Sequence, residues 1–392
     1  MRALVVAPQP FFSPRGTPFS VYYRTLIMAE LGLNIDLLTY GEGQDVDIEN
    51  TRIIRIPRFG WLGKVKTGPS MLKLFLDFSV VLRTLGLLIR NRYDVVHAHE
   101  EAVFFCRFLK PLFRFNLVYD MHSSLPQQLS NFHYTESRLI HGLFKRLEDS
   151  SINTADAVIT ICPDLANYVD SIIDDSSKHF LIENSIFEPV RISSNSGEDA
   201  SAPSDVSHNI PKNKKYVVYA GTLERYQGIA LLISAFRLAS EQLENAFLIV
   251  VGGSDDQVHK FRSLADAEGL QEMSVFTGRL PQSQAARYSE MADVLVSPRT
   301  DGTNTPLKIY QQLASGKPLV ATDIYSHTQV LSNEVAFLAP PDPESLGDAI
   351  ISAMSDAHLV KQKVTKALRL YEEQYSRASY VRKLQLLIGA LK

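Results

Sequence analysis

Short, almost unbroken apolar runs alternate with longer helical stretches twice over along this chain, and that alternation leaves few folds open. In the first half the runs fall at 2–7, 34–39, 51–56, 93–98, 116–120 and 156–161, with helical patterns at 18–31, 71–91, 101–109 and 137–153. Runs without polar alternation fit strands covered on both faces, as in a parallel sheet. Strand, helix and strand in succession then call for right-handed crossovers and a doubly wound α/β layer. The second half repeats the scheme, with strands predicted at 216–220, 247–252, 274–276, 294–297, 318–321 and 335–338. Its helices are predicted at 229–241, 257–268, 283–291, 306–315 and 344–354, and two more, 357–373 and 376–392, close the chain.

A length of 392 residues suits two such units better than one. Residues 190–213 are Ser-rich and lack periodicity, the mark of a linker or long surface loop. The expected division is a first unit at 1–189, the linker, and a second unit at 214–375, with the helix at 376–392 packing back on the first. Cys106 and Cys162 are the only cysteines, too few for a disulfide framework and wrongly spaced for zinc. The apolar start breaks at Pro8, too early for a signal peptide, so a cytoplasmic protein is expected. A net charge of -3 argues against a general nucleic-acid binder.

In open α/β sheets, ligands bind beyond the carboxyl ends of the strands, so the loops that follow the strands carry the candidate chemistry. After the first strand, Gly16 leads to Thr17 as N-cap and Pro18 at the first helical position. Such a start offers free N–H groups to an anion, or is simply a tight turn. His122, in Tyr119-Asp120-Met121-His122-Ser123, stands just past the fifth run and is either a ligand-facing group or a structural one. His97 and His99 end the preceding run, where packing is expected for at least one. In the second half, the turn from Ala220 to Gly228 offers Arg225 and a helix start to a phosphate. The loop from Ser297 sets Asn304, Thr305 and Lys308 about another helix start, a cradle for a diphosphate. Asp45 and Asp47 have metal-ligand spacing but lie in a polar turn, and no other cluster suggests a metal. No GxGxxG, Walker or Ser/His/Asp pattern is present.

With those loops in view, the chain resembles the retaining glycosyltransferases of family 4, which have the GT-B fold of two Rossmann-like domains facing across a cleft. The matching segments are the Gly16 loop, YDVVHAH at 93–99, the His122 turn, ADAVITICPDLANYV at 155–169 and IENS at 182–185. The second half adds YAGTLERYQG at 219–228, VFTGRL at 275–280, ADVLVSPR at 292–299 and LASGKPLVATD at 313–323. The resemblance implies that Gly16 and Thr17 approach the donor's diphosphate or sugar, and that His122 lies beside the reacting sugar. It places Thr222, Arg225 and Gln227 at the diphosphate, and Gly278, Arg279 and Leu280 at the base. It sets Thr303, Asn304, Thr305 and Lys308 around sugar and phosphate, and Gln311 near the ribose. No cofactor and no metal are implied beyond a nucleotide-diphosphate sugar, UDP- or GDP-linked, as co-substrate. The acceptor would be a hydroxyl of a glycan or a lipid-linked compound in cell-surface polysaccharide or glycolipid synthesis.

The sequence departs from the family pattern where charge matters. Thr222 and Gln227 stand where basic or similar donors are usual, and Thr303 and Gln311 replace the family's paired glutamates. Both signs of charge are lost together, with Arg225 and Lys308 as candidate replacements. Two alternatives stay open: a nucleotide-sugar 2-epimerase of the same fold, and a non-catalytic binding subunit.

Charge is uneven along the chain. Between Arg52 and Arg114 twelve basic residues face four acidic ones, a net of +8. Arg58, Lys64 and Lys66 flank Trp61 there, which fits a loop that docks on an anionic membrane. The expected setting is cytoplasmic, peripheral on the inner face of the cell membrane.

Overall fold

The structure, a computed structural model, describes residues 1–13, 16–58, 71–124, 138–184, 186–187, 190 and 210–392. Trp61, Lys64, Lys66, Ser185 and most of the 190–213 stretch lie outside them. Two compact units emerge: one runs from Met1 to Ile186 and takes back Arg377–Lys392, and the other holds residues 210–376.

The first unit is a seven-stranded parallel sheet in the order β3-β2-β1-β4-β5-β6-β7. Its strands are β1 (Arg2–Ala7), β2 (Asn34–Thr39), β3 (Thr51–Arg55), β4 (Val95–His99), β5 (Asn116–Met121), β6 (Ala157–Thr160) and β7 (His179–Leu181). β4 and β6 are buried at every position, as their unbroken apolar runs require. The six expected strands are present, and β7 is an addition. Three half-buried residues at a sheet edge show no period that a sequence reading could catch. Helices α1 (Gly16–Glu30), α2 (Met71–Arg90), α3 (Ala102–Phe113), α4 (Arg138–Thr154) and α5 (Pro163–Asp170) connect the strands. Leu76 and Val80 of α2, Val103 and Cys106 of α3, and Ile152 of α4 share one core beneath the sheet. Cys106 and Cys162 are both buried and unbridged.

The second unit repeats the plan with six strands in the order β10-β9-β8-β11-β12-β13. They are β8 (Lys215–Ala220), β9 (Ala246–Val251), β10 (Ser274–Phe276), β11 (Val294–Ser297), β12 (Leu319–Thr322) and β13 (Phe337–Ala339). The helices are α6 (Ile229–Ser240), α7 (Asp255–Ala267), α8 (Gln282–Met291), α9 (Leu307–Ala314), α10 (Tyr325–Thr328), α11 (Pro343–Ser355) and α12 (Ala357–Leu370). Alternate residues of each strand feed two cores. Val217, Leu248 and Val250 join α6 and α11, whereas Val218, Ile249 and Val251 join α8 and α9. Each fully buried Val, Leu or Ile contributes about 1.5–3 kcal/mol, which is why no staple is needed.

The single helix expected at 357–373 is in fact α12 followed by a π-helical turn, Tyr371–Tyr375. That turn brings the Tyr375 ring onto Tyr310, centroids 4.8 Å apart. The closing helix α13 (Arg377–Ala390) belongs to the first unit. Arg377 pairs with Glu30 at 2.7 Å, Lys383 pairs with Glu183, and Asn116 Nδ2 donates to the Leu391 carbonyl at 2.7 Å.

Candidate active site

Strand order reverses between β1 and β4 in one sheet and between β8 and β11 in the other. The carboxyl ends of those strands are where a doubly wound sheet opens a crevice. The candidate residues from the sequence fall on loops at these ends, and each unit is taken on its own.

In the first unit, α1 opens at Gly16 and not at Pro18, so Thr17 and Pro18 lie inside its first turn. The first four N–H groups of a helix have no intrahelical partner, and Pro18 is tolerated there because it gives up none. His122 follows β5 directly, and of the two roles the sequence left open the structure gives it the surroundings of a buried one. It is buried within a polar cluster with His97, His99, Asp120 and Arg24, all five sealed from solvent. Asp120 is the hub. Its Oδ2 lies 2.8 Å from His97 Nε2 and 3.1 Å from Arg24 Nε, and its Oδ1 lies 3.3 Å from His122 Nε2. His122 Nε2 also meets His99 Nδ1 at 3.1 Å, and the His97 and His99 rings stack at 4.7 Å. Both upstream histidines are thus packing residues that also hold the third.

Burial alone would raise the Asp120 carboxyl, but the Arg24 guanidinium and the imidazole rings around it hold it well below the usual range. Burial pushes His122 down to about 4, with the Asp120 charge only partly offsetting it, and pushes His99 well below its ordinary value. His99 and His122 are therefore neutral at pH 7, beside the Asp120 anion. Among the described residues, His97, His99 and Asp120 are the one grouping with metal-ligand character. Arg24 already supplies the counter-charge there, and a cation would sit against its guanidinium. Asp45, the other carboxylate considered, pairs with Arg55 at 2.8 Å. Next to the cluster, Ser123 Oγ donates to Glu100 at 3.1 Å, and burial with the neighbouring Glu101 raises the Glu100 carboxyl. Arg24 and Asp120 were not singled out from the sequence. The Asp two residues before His122 was the available signal for one of them; Arg24, inside a helix buried nearly all round, carried none.

In the second unit the loops after β8 and β11 touch. Gly228 lies in the left-handed region (φ 72°), and a Cβ there would come 1.8 Å from the Pro298 carbonyl oxygen. Only glycine permits that approach. Thr300 N–H donates to the Tyr226 carbonyl at 2.9 Å, and the Arg299 guanidinium lies over the Tyr226 ring at 5.1 Å. Lys308 sits at the second position of α9, in its first turn. Its Nζ lies 4.0 Å from the Tyr219 ring centroid and 3.4 Å from Gln227 Oε1. The Tyr219 hydroxyl donates to the Thr222 carbonyl at 2.6 Å, completing a group of Thr222, Gln227 and Lys308. Arg299 Nη1 donates to the Asn304 carbonyl at 3.0 Å, and Gln329 donates to the Thr303 carbonyl, shaping the loop that ends at Thr305.

Arg299 was not singled out from the sequence, although it stands in ADVLVSPR. Arg225, which was, is exposed on the short turn Arg225–Gln227 and joins neither contact network among the described residues. Gln311 is exposed on α9, one turn on from Lys308. Gly278, Arg279 and Leu280 lie past the edge strand β10, where Gly252 N–H donates to the Gly278 carbonyl at 2.9 Å; Arg279 is exposed and Leu280 half-buried. Burial, reinforced by the Arg299 charge, pushes Lys308 down to about 7. Burial lowers Arg299 as well. Neither cation forms an ion pair among the described residues. Two desolvated, unpaired positive groups at a helix start make a seat for an anion.

Comparison with known proteins agrees with this division. Residues 18–186 match the family described as Glycosyltransferase Family 4, and residues 202–370 match Glycosyl transferases group 1. The chain is 25% identical over 299 residues to an uncharacterized glycosyltransferase of Methanocaldococcus jannaschii, covering 75% of this chain and 74% of that one. It is 22% identical over 384 residues to the phosphatidyl-myo-inositol mannosyltransferase of Mycobacterium leprae, covering 95% and 93%. Among solved structures, Anabaena HepE in complex with UDP superposes with a TM-score of 0.70 at 16% identity, covering 100% of both chains. At that identity the likeness speaks for the fold, which is GT-B.

Proposed function

Because the chain belongs to the family 4 glycosyltransferases with a group 1 second half, we propose that it moves a sugar from a nucleotide-diphosphate donor to a hydroxyl acceptor with retention of configuration. The observation that carries the donor reading is the pair Arg299 and Lys308, unpaired and partly buried at the start of α9. Negative charge grows on the departing diphosphate as the glycosidic bond breaks, and preorganised cations and amides lower that barrier most. Backbone groups about Asn304 and Thr305, with Thr222 and Gln227, complete the seat, and Gly278, Arg279, Leu280 and Gln311 are assigned to the nucleoside. Gly16, Thr17 and His122 are assigned to the sugar. The acceptor oxygen attacks the face that the diphosphate leaves, and a phosphate oxygen takes its proton. No metal is required in this scheme, since Lys308 and Arg299 carry the neutralising role.

Incubation with a panel of UDP- and GDP-sugars tests the reading through release of free nucleotide diphosphate. Release that depends on an acceptor and persists with a chelator is expected. Interconversion of sugars without transfer would identify an epimerase, and binding without release a non-catalytic subunit.

A lipid-linked acceptor is favoured by one face of the first unit. Leu74, Phe78, Leu82 and Ile89 of α2 are exposed, as are Phe108 and Leu112 of the adjoining α3. Arg83, Arg90, Arg92 and Arg114 are exposed as well, and Arg90, Arg92 and Arg114 line a cavity of about 1000 Å³ that also meets Ile89 and Leu112. No helix among the described residues is long and apolar enough to cross a membrane. An apolar face with arginines beside Ile89 and Leu112 fits an anionic lipid surface, each base adding about 1 kcal/mol. Co-sedimentation with acidic vesicles should fall as salt rises. It should fall again in Phe78→Ser/Leu82→Ser and in Arg90→Glu/Arg92→Glu. Indifference to acidic vesicles at low salt would remove the lipid-linked acceptor.

A further inference from the structure

We propose that His327 is a positioning residue of the anion seat: through Thr322 it fixes the main chain of Arg299, and so sets where the loop from Ser297 to Thr305 presents its cation and amides. The inference rests on the reading of Arg299 and Lys308 as that seat. Ser297 and Thr322 are the last residues of the neighbouring strands β11 and β12, at the point where the ladder between them stops. Backbone past such an end has lost its adjoining strand, and its carbonyls need other donors. His327, on the short helix α10, is buried together with Ser297 and Thr322. Its Nε2 lies 3.0 Å from Ser297 Oγ, and its Nδ1 lies 2.9 Å from the Thr322 carbonyl and 3.1 Å from Thr322 Oγ1. Thr322 Oγ1 in turn donates to the Arg299 carbonyl.

Each proton along this line of contacts has one place to go. A carbonyl oxygen only accepts, so His327 Nδ1 carries the ring's hydrogen and directs it at Thr322. With that donor facing it, Thr322 Oγ1 accepts on the ring side, and its own hydrogen turns to the Arg299 carbonyl. Nε2 keeps its lone pair and accepts from the Ser297 hydroxyl. A neutral ring meets all of this. Burial pushes His327 down to about 4, with the Thr322 carbonyl opposing it and the Lys308 and Arg299 charges adding to it. The loop is thus held without a third positive charge, which a lysine or arginine at 327 would set beside the two cations. From the main chain of Arg299 the hold passes to its guanidinium, which donates to the Asp301 carbonyl at 2.6 Å and the Asn304 carbonyl at 3.0 Å. One residue past α10, Gln329 donates to the Thr303 carbonyl, so one short segment fastens the loop at Ser297, Arg299 and Thr303. A seat for a diphosphate works best when its donors are in place before charge develops.

Calorimetric titration of the full chain with UDP and with GDP, alongside hydrogen exchange at the Thr300 amide, tests this. Thr300 N–H donates to the Tyr226 carbonyl at 2.9 Å and reports where the loop lies. His327→Phe keeps a flat ring and loses both nitrogens. It should weaken nucleotide-diphosphate binding about two- to tenfold, the equivalent of one neutral hydrogen bond, and quicken Thr300 exchange. Thr322→Val removes the hydroxyl on Arg299 and should do the same. Because the two residues act in one line, the double variant should bind no more weakly than the poorer single one, whereas independent structural defects add. His327→Asn keeps a donor at the Nδ1 position and should bind within about twofold of the unaltered protein. Unchanged affinity and exchange in His327→Phe, additive losses in the double variant, or a His327→Asn as weak as His327→Phe each overturn the proposal. Should His327→Phe fail to fold, Thr322→Val set against the unaltered chain decides by the same two readouts. An unaltered protein that binds neither UDP nor GDP removes the anion-seat reading instead, and Thr300 exchange in the variants still judges the hold of His327 on the loop.

Discussion

His122→Ala is expected to cut transfer by up to about tenfold, the rate equivalent of one neutral hydrogen bond of about 0.5–1.5 kcal/mol. From the sequence alone, His122 just past the fifth run is either a ligand-facing group, whose loss would leave the fold intact, or a structural one. Its burial beside Asp120 adds a cost to the fold. Removing the ring strips the buried His99 Nδ1 of its hydrogen-bond partner, at a cost of about 1–3 kcal/mol in stability. Denaturant melts and donor-sugar assays on one preparation separate the two effects. Full activity with an unshifted melt would take His122 out of the site. The pH profile adds a signed test. With His122 held near 4, the unfolded chain takes up a proton between about 6.5 and 4 that the folded one refuses, so stability falls as pH falls through that window. In His122→Ala this share of the acid sensitivity should vanish.

Lys308→Ala should weaken binding of UDP or GDP by about tenfold or more, because a charge-assisted hydrogen bond to phosphate contributes roughly 1.5–3 kcal/mol. Lys308 near 7 is about half protonated in the free protein at neutral pH. A bound diphosphate stabilises the ammonium form, so binding takes up a proton and affinity declines as pH rises above 7, by at most tenfold per pH unit. Calorimetry in two buffers of different ionisation enthalpy measures that uptake, which Lys308→Ala should abolish. Affinity unchanged by the substitution would mean that the anion seat lies elsewhere, and the exposed Arg225 would return as the candidate.

Much of the fold is legible in the residues themselves. Unbroken runs such as Ala246–Val251, buried at all six positions, leave no choice but a strand inside a covered sheet. Helix starts at Gly16 and near Pro306 are legible to within two residues, because proline tolerates only the first turn. Segments with too few residues for a period escaped: β7, and the π turn that aims Tyr375 at Tyr310.

The candidate site divides along the same line. The sequence by itself determined which loops hold the chemistry, since the strand ends of a doubly wound sheet are positions in the chain. It also determined that His122 stands on one of those loops and Lys308 just past another, in the first turn of α9. Which side chains they meet is a matter of distance in space, and only the tertiary structure decided it. Arg24 comes from α1 to reach Asp120 on β5, 96 positions later, and Arg299 comes beside Lys308 through the contact that Gly228 allows. Charge state went with it. Lysine and histidine enter the chain with ordinary affinities for a proton, and the burial that moves Lys308 to about 7 and His122 to about 4 exists only once the sheets have closed around them.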